Sequence, residues 1–457
     1  EEKEEEKEEE EEEEEENEQK QIYYADCESF VYNGEHKLYM LGWTEENNDQ
    51  VIIRNTIKQT PEKVVDDFLY YISKFNKEVI VYFHNLKYDF HILLPYLKIT
   101  GSVEKDNQYY ELQTVYNKCK IFFKDSYKLL SMPLNKFNDN FNLGFTKKEA
   151  IAYEYYTPEN HNKKIKKEEY EKFLKEDEKI IFNENVKKNI FNPYKYYKEY
   201  LNLDCRVLKE GIKKFRKLIF TIDERLDIHN FLSISSLTDN YMKINGAYAG
   251  VIPLQHSLRN YVNKAIRGGR VDFNKKYHKK VIEGKFSDFD GVSLYPSAIN
   301  RLCEEKGLPL GFAKRFLKKD LKKWKKKDYS ILTIKINKVN KYQQMPFISY
   351  KDEKGILQYT NKAPDVNLII DKYTLEDYIN YHKIDFELID GVYWNKGFNN
   401  KMGDLVKNLF NFRLENKKKN PALANVIKLM LNSSYGKSII KQSFNNKVYK
   451  STYDINK

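Results

Sequence analysis

Asp26 and Glu28 lie two residues apart in IYYADCESF, residues 22–30, a spacing that on a β-strand turns both carboxylates to one face. Two carboxylates so close repel unless a cation or a raised pKa relieves them. Two further acids stand where they can join the pair. Asp89 follows the apolar stretch VIVYFHN, and Asp204 comes four residues after Tyr200 on one face of a predicted helix. Four carboxylates on a common scaffold suit divalent metal ions, and the chemistry they would support is metal-assisted hydrolysis.

Two later segments carry reactive groups of other kinds. Ser287 to Asn300 reads SDFDGVSLYPSAIN. Its first half alternates like a strand, with Phe286, Asp288 and Asp290 on one side, and Pro296 stands where a helix would begin. Asp290 would then be a metal ligand at a strand-to-helix corner, walled by Tyr295; equally, Asp290 could cap a strand end with Tyr295 as ordinary core. In VIKLMLNSSYGK, residues 426–437, Lys428, Asn432 and Tyr435 form one helical stripe while Val426 and Met430 face away. A cation, an amide and an aromatic in register suit a triphosphate and a base.

The elements that must position the first set are legible. Three short strands from Ile22, a helix from Pro61 to about Phe75, a fourth strand and a helix near Tyr88 give the order of a ribonuclease-H-like core, with Asn85 at the cap position of the last helix. YKYYKEYLNLDCRVLKEGIKKF reads as a long helix bearing Tyr200 and Asp204. The fold class expected is a multidomain chain of α/β and α+β type. Residues 1–18 hold 15 Glu against 2 Lys, a net of −13; the whole chain carries +11, so the remainder carries +24. The acidic block repels itself and buries nothing. A basic body interleaved with 37 Tyr and 27 Phe fits a polyanion offering phosphates and flat bases, and equally a solvated surface from A/T-rich coding. The run AKRFLKKDLKKWKKK, 313–327, is basic and amphipathic, a pattern more often a solvated face than a reader of DNA, though suited to phosphates. Cys27, Cys119, Cys205 and Cys303 form no CxxC pair, which points to a reducing compartment and no zinc site. No apolar run approaches a membrane span, and no signal or transit peptide is visible.

ADCES, FHNLKYDF and YLNLD, in this order and on these elements, resemble the three motifs of the proofreading 3′–5′ exonuclease of family B DNA polymerases. The resemblance implies that Asp26, Glu28, Asp89 and Asp204 hold two Mg²⁺ or Mn²⁺ ions and that Tyr200 orients the attacking water. Ser29, Asn85 and Tyr88 match positions that grip a single-stranded 3′ end. Ser126 matches the start of a further DNA-gripping motif in which Tyr127 stands where the family has Leu. Lys148, in KEAI, matches a lysine that supports the exonuclease chemistry. IRGGRV, 266–271, resembles the YxGG template-binding segment through Arg267, Gly268 and Gly269, with Ile266 in place of Tyr. Asp290 to Ser297 resembles motif A, DxxSLYPS, which implies that Asp290 and the Val292 backbone serve the catalytic metals and that Tyr295 excludes a 2′-OH. Lys428 to Gly436 matches motif B, Kx3NSxYG: Lys428 and Asn432 would meet the incoming nucleotide, Tyr435 the nascent base pair, and Gly436 and Lys437 the DNA. One of Lys417, Lys418 and Lys419 would add a basic contact upstream.

FHNLKYD and KLMLNSSYGK place the resemblance nearest the protein-primed branch found in phages and linear or mitochondrial plasmids. That branch implies template and primer DNA, dNTPs and a terminal priming protein as partners, a monomer, and a host cytoplasm or mitochondrion as location. Residues 1–20 are expected to be an acidic tail, 21–215 the exonuclease domain, 216–265 a helical connector and 266–457 a partial palm and fingers. An insertion near 345–400 matches where protein-primed members contact the priming protein, and the fingers would span about 401–440. The motif C sequence YxDTDS does not occur in the 457 residues, so the chain is expected to be a fragment with exonuclease activity and negligible synthesis. The alternatives are a stand-alone exonuclease and a non-catalytic DNA-binding remnant of a polymerase.

Overall fold

A computed structural model describes residues 20–32, 34–145, 150–271 and 275–436. Lys148 and Lys437 lie outside the described residues. The chain divides into two compact units, one holding residues up to Tyr241 together with those from Phe412 onward, the other Met242–Asn411.

The first unit is built on a seven-stranded mixed sheet. Its strands are β1 (Gln21–Tyr32), β2 (Glu35–Glu45), β3 (Ile52–Asn55), β4 (Glu78–Phe83), β5 (Ile99–Lys105), β6 (Gln108–Tyr116) and β7 (Cys119–Asp125), in the order β3-β2-β1-β4-β7-β6-β5. β4 runs parallel to β1 on one side and to β7 on the other. Alternation along β1 separates two chemistries. Tyr23, Ala25 and Cys27 enter an apolar core shared with helices α1 (Pro61–Ser73) and α2 (Leu86–Leu93). Asp26 and Glu28 turn to the opposite face.

Two further helices of this unit matter for the site: α3 (Phe137–Phe141) and the 30-residue α4 (Pro193–Ile222). The start of α4 is marked by Asn192, whose side chain accepts from the Lys195 amide, and by Pro193 in its first turn. Its apolar stripe, including Tyr197, Leu201 and Cys205, packs on a second core with Tyr39 and Met40 of β2. Gly42 on β2 pairs with Asp26, and a Cβ there would lie 3.0 Å from Leu201. The missing side chain lets α4 press close to the strand pair that carries the acids.

In the second unit, helix α5 (Leu294–Glu305) precedes a four-stranded antiparallel sheet. Its strands are β8 (Lys314–Arg315), β9 (Tyr329–Val339), β12 (Leu368–Asp371) and β13 (Ile384–Trp394), in the order β8-β13-β9-β12; the hairpin β10–β11 (Ile348–Lys351, Leu357–Thr360) forms a separate pair. Leu332, Ile334, Ile336, Leu368 and Ile370 form its core with Leu321 and Trp324. Helix α6 (Lys401–Lys419) crosses the division, and α7 (Pro421–Ser433) belongs to the first unit, where it packs on α4 and α3.

One expected strand does not form. Residues 285–290 are exposed backbone without regular structure, although α5 starts where Pro296 predicted. An alternating pattern makes a strand only with a partner to satisfy its amides, and no described strand pairs with this segment.

Candidate active site

β1 and α4 bring three acids together. A ligand oxygen from each of Asp26, Glu28 and Asp204 lies within 4.8 Å of the others. Glu28 and Asp204 are buried and Asp26 is half-buried. The convergence has a local cause at each residue: the strand period aims Asp26 and Glu28 at α4, a bulge between Glu28 and Ser29 shifts the register of the β1–β2 ladder, and the helical period puts Asp204 opposite them. Among the described residues this is the single group of three or more such side chains with metal-holding spacing. Three hard oxygen donors at this separation fit a Mg²⁺- or Mn²⁺-type ion.

Tyrosines from α4 flank the acids. The Tyr197 hydroxyl donates to Glu28 Oε2 at 2.6 Å. Burial, with Glu28 adding to it, pushes the Tyr197 phenol well above its ordinary value, so the proton stays on the donor. The Tyr200 hydroxyl is 3.1 Å from that of Tyr153. Asp89 stands apart from the three-acid group: its Oδ1 accepts from the Cys27 amide at 3.2 Å and from the Cys27 thiol at 3.1 Å. Burial raises the Asp89 carboxyl to about 7. The fourth expected ligand is thus tied to the backbone between the first two.

The predicted DNA-gripping residues divide. Ser29 Oγ lies 2.8 Å from the Tyr88 hydroxyl and 2.9 Å from His36 Nδ1, forming a polar trio beside the acids. Asn85 occupies the cap position of α2 but in the left-handed region, φ 69°, and its side chain makes no capping bond; its amide donates to Asp125 Oδ1 at 3.0 Å. Ser126 is fully buried, donates to the Phe83 carbonyl at 2.9 Å and sits 2.9 Å from His84 Nδ1. Direct contact with DNA is closed to it, because its hydroxyl is spent on the sheet end.

The polymerase-motif residues fall in both units. Lys428, Asn432 and Tyr435 are exposed, while Val426 and Met430 are buried, as the stripe required. Tyr435 and Gly436 lie just beyond the last residue of α7. In the second unit Asp290 is exposed and belongs to no three-ligand group among the described residues. Val292 is exposed, and its carbonyl accepts from Ser297 Oγ at 3.1 Å. Tyr295 projects from the first turn of α5, 53 % exposed. Arg267 donates to the carbonyls of Lys264, Ile266 and Ile369, so its guanidinium braces the backbone instead of standing out for a template. Nothing described lies within 4 Å of a Cβ added at Gly268 or Gly269, which leaves the backbone there open to approach.

Residues 72–457 match the family described as DNA polymerase type B, organellar and viral. The chain belongs to that family. Among curated relatives of this type B polymerase chain is the DNA polymerase of Streptococcus phage Cp-1, 21 % identical over 378 residues that make up 79 % of this chain and 58 % of the relative. The chain therefore spans little more than half the length of that protein. Its fold is that of Phi29 DNA polymerase. The structure of that enzyme with primer-template DNA and incoming nucleotide superposes with a TM-score of 0.64 at 18 % identity, covering 92 % of this chain and 68 % of the other. Its complex with single-stranded DNA gives 0.61 at 18 % identity, covering 92 % and 67 %. The type B polymerase fold, a ribonuclease-H-like exonuclease region followed by palm and fingers elements, is the fold class expected: the element order pointed to the first part and the motif resemblance implied the second.

Three side chains of this type B site escaped sequence reasoning. Tyr197 stands seven residues before Asp204, two helical turns along the same stripe, and that spacing was the available signal. Tyr153 and His36 come from a short turn and from the start of β2, where no period marks them.

Proposed function

We propose that the chain is part of a protein-primed DNA polymerase and carries its 3′–5′ exonuclease at the β1–α4 site. The observation that carries this reading is the convergence of Asp26, Glu28 and Asp204 within 4.8 Å. These acids, with Asp89 beside them, would hold two Mg²⁺ or Mn²⁺ ions, which when bound supply Lewis-acid stabilisation of the charge that develops on a phosphodiester. Glu28 is held for that task by the hydrogen bond from Tyr197. Tyr200, steadied by Tyr153, is placed to orient the attacking water. Ser29, Tyr88 and His36 offer hydroxyl and imidazole groups to the sugar and phosphate of a 3′ end.

The second set, Asp290 and Tyr295 with Lys428, Asn432 and Tyr435, is the part of a nucleotidyl-transfer site that the motifs imply. Template and primer DNA, dNTPs and a terminal priming protein are the proposed partners, and a monomer the proposed state. The domain division proposed is exonuclease 21–215, connector 216–265 and palm with fingers from 266. A reducing compartment, host cytoplasm or mitochondrion, is in keeping with four unpaired, buried cysteines.

The test is nucleotide release from single-stranded DNA with Mn²⁺, comparing the chain with the variant carrying Asp26→Ala and Glu28→Ala. Loss of two ligands should lower the rate by at least about 100-fold, the upper end of what losing a partner behind a metal ligand costs. Equal rates in the two would remove the assignment.

A further inference from the structure

Residues Lys318–Lys326, KKDLKKWKK, form a nine-residue 3₁₀ helix. Such helices rarely exceed three or four residues, so this length needs a cause. The sequence repeats with a period of three: Leu321 and Trp324 are buried and form the inner row of a helix with three residues per turn. Lys319, Lys322 and Lys325 then form an outer row, and all three are exposed. At about 2.0 Å rise per residue they stand one above another about 6 Å apart, a line about 12 Å long. On an α-helix the same residues would fan apart by roughly 60° at each step.

The line is held rigid from behind. Buried Lys372 donates from Nζ to the carbonyls of Lys325 at 2.8 Å and Lys327 at 2.7 Å, satisfying the carbonyl end of the helix. Asp320 pairs with Lys323 at 2.7 Å, and no described ion pair engages Lys319 or Lys322. The Lys325 ammonium lies 5.5 Å from the centroid of the Trp324 ring and Asp320 offsets part of the charge of Lys319; the row keeps a net positive charge, which a polyanion would offset.

We propose that Lys319, Lys322 and Lys325 are a rail for the phosphate backbone of a DNA strand. Its length favours a polymer over a free nucleotide: one duplex strand advances about 3.4 Å per phosphate, so the rail faces roughly four consecutive phosphates. The inference rests on the reading of the chain as a DNA enzyme.

The salt dependence of duplex DNA binding, measured with EDTA present so that hydrolysis plays no part, tests it. Three variants of the whole chain are compared: the unaltered protein, Lys319→Gln with Lys322→Gln and Lys325→Gln, and a control with Lys118→Gln, Lys172→Gln and Lys188→Gln, three exposed lysines scattered over the first unit. Each phosphate neutralised on duplex DNA steepens the slope of log K against log[salt] by about 0.9. The rail variant should flatten that slope by about 2 to 3 while the control keeps it. An unchanged slope in the rail variant, or equal flattening in both, overturns the rail. Metal-dependent nucleotide release from single-stranded DNA, measured alongside, keeps the two readings apart: hydrolysis with an unchanged slope removes the rail alone, whereas neither hydrolysis nor duplex binding by the unaltered protein removes the functional reading as well.

Discussion

Glu28 shows how one side chain's position is decided. It is buried, its neighbours Asp26 and Asp204 are acids, and its Oε2 takes a hydrogen bond of 2.6 Å from Tyr197. A cation would satisfy the three acids together, and the Tyr197 hydroxyl helps set which way Glu28 faces. Tyr197→Phe removes that hydroxyl and leaves the ring packing intact. Partners behind metal ligands typically contribute 10- to 100-fold in affinity or activity, so exonuclease turnover should fall by about 10- to 100-fold. A Mn²⁺ titration of the rate checks it: the variant should need more metal and recover partly at saturation, which a merely structural role would not produce. At this scale the sequence revealed the types and faces of Asp26, Glu28, Tyr200 and Asp204, because strand and helix periods fix direction. It did not reveal what lies opposite. Ser126 and Arg267 have the right types for DNA contact, but the Ser126 hydroxyl is engaged by Phe83 and His84, and the Nη1 and Nη2 groups of Arg267 by the carbonyls of Lys264, Ile266 and Ile369.

Helix α4 is the element on which the site depends, since it carries Tyr197, Tyr200 and Asp204 and lies against β1 and β2. Its seat against α3 is set by Gly211, where a Cβ would come 2.3 Å from the Phe137 ring. In a free helix Gly→Ala gains about 1 kcal/mol. Here the added methyl must displace a fully buried aromatic ring, and overpacking of this kind costs about 1–3 kcal/mol. Gly211→Ala should therefore lower stability in urea denaturation, against helix propensity, with nucleotide release falling as α4 shifts; a gain in stability would show that Phe137 yields freely. Elements of this kind were legible in part: β1 to β4, α1, α2, α4 and the exposed stripe of α7 follow from periodicity, whereas β5, β6 and β7 and the order of strands in the sheet were not foreseen. The strand expected through 285–290 was not, because alternation specifies a face and pairing needs a neighbour. The seat of α7 on α4 and α3 was likewise beyond a pattern that marks an apolar face without naming the surface it meets.

At the scale of the whole molecule, the carboxylate group lies within one compact unit, whereas the polymerase-motif residues are divided between the two. The carboxylate group and the motif B stripe belong to the first unit, and Asp290 with the lysine line to the second. Membership in the type B polymerase family covers residues 72–457, which takes in Asp89 and Asp204 but begins after Asp26 and Glu28. The site therefore joins residues within the family match to residues before it, and the fold bridges that boundary through the β1–β4 pairing. The central claim is that this joined site removes nucleotides from a 3′ end using metal. The most direct measurement is the decay of 3′-labelled and 5′-labelled single-stranded DNA with Mn²⁺, for the chain and for Asp204→Ala. The account predicts immediate mononucleotide release from the 3′ label, progressive shortening of the 5′-labelled strand, and near loss of both in the variant. Release beginning at the 5′ end, or undiminished 3′ release by Asp204→Ala, would contradict it.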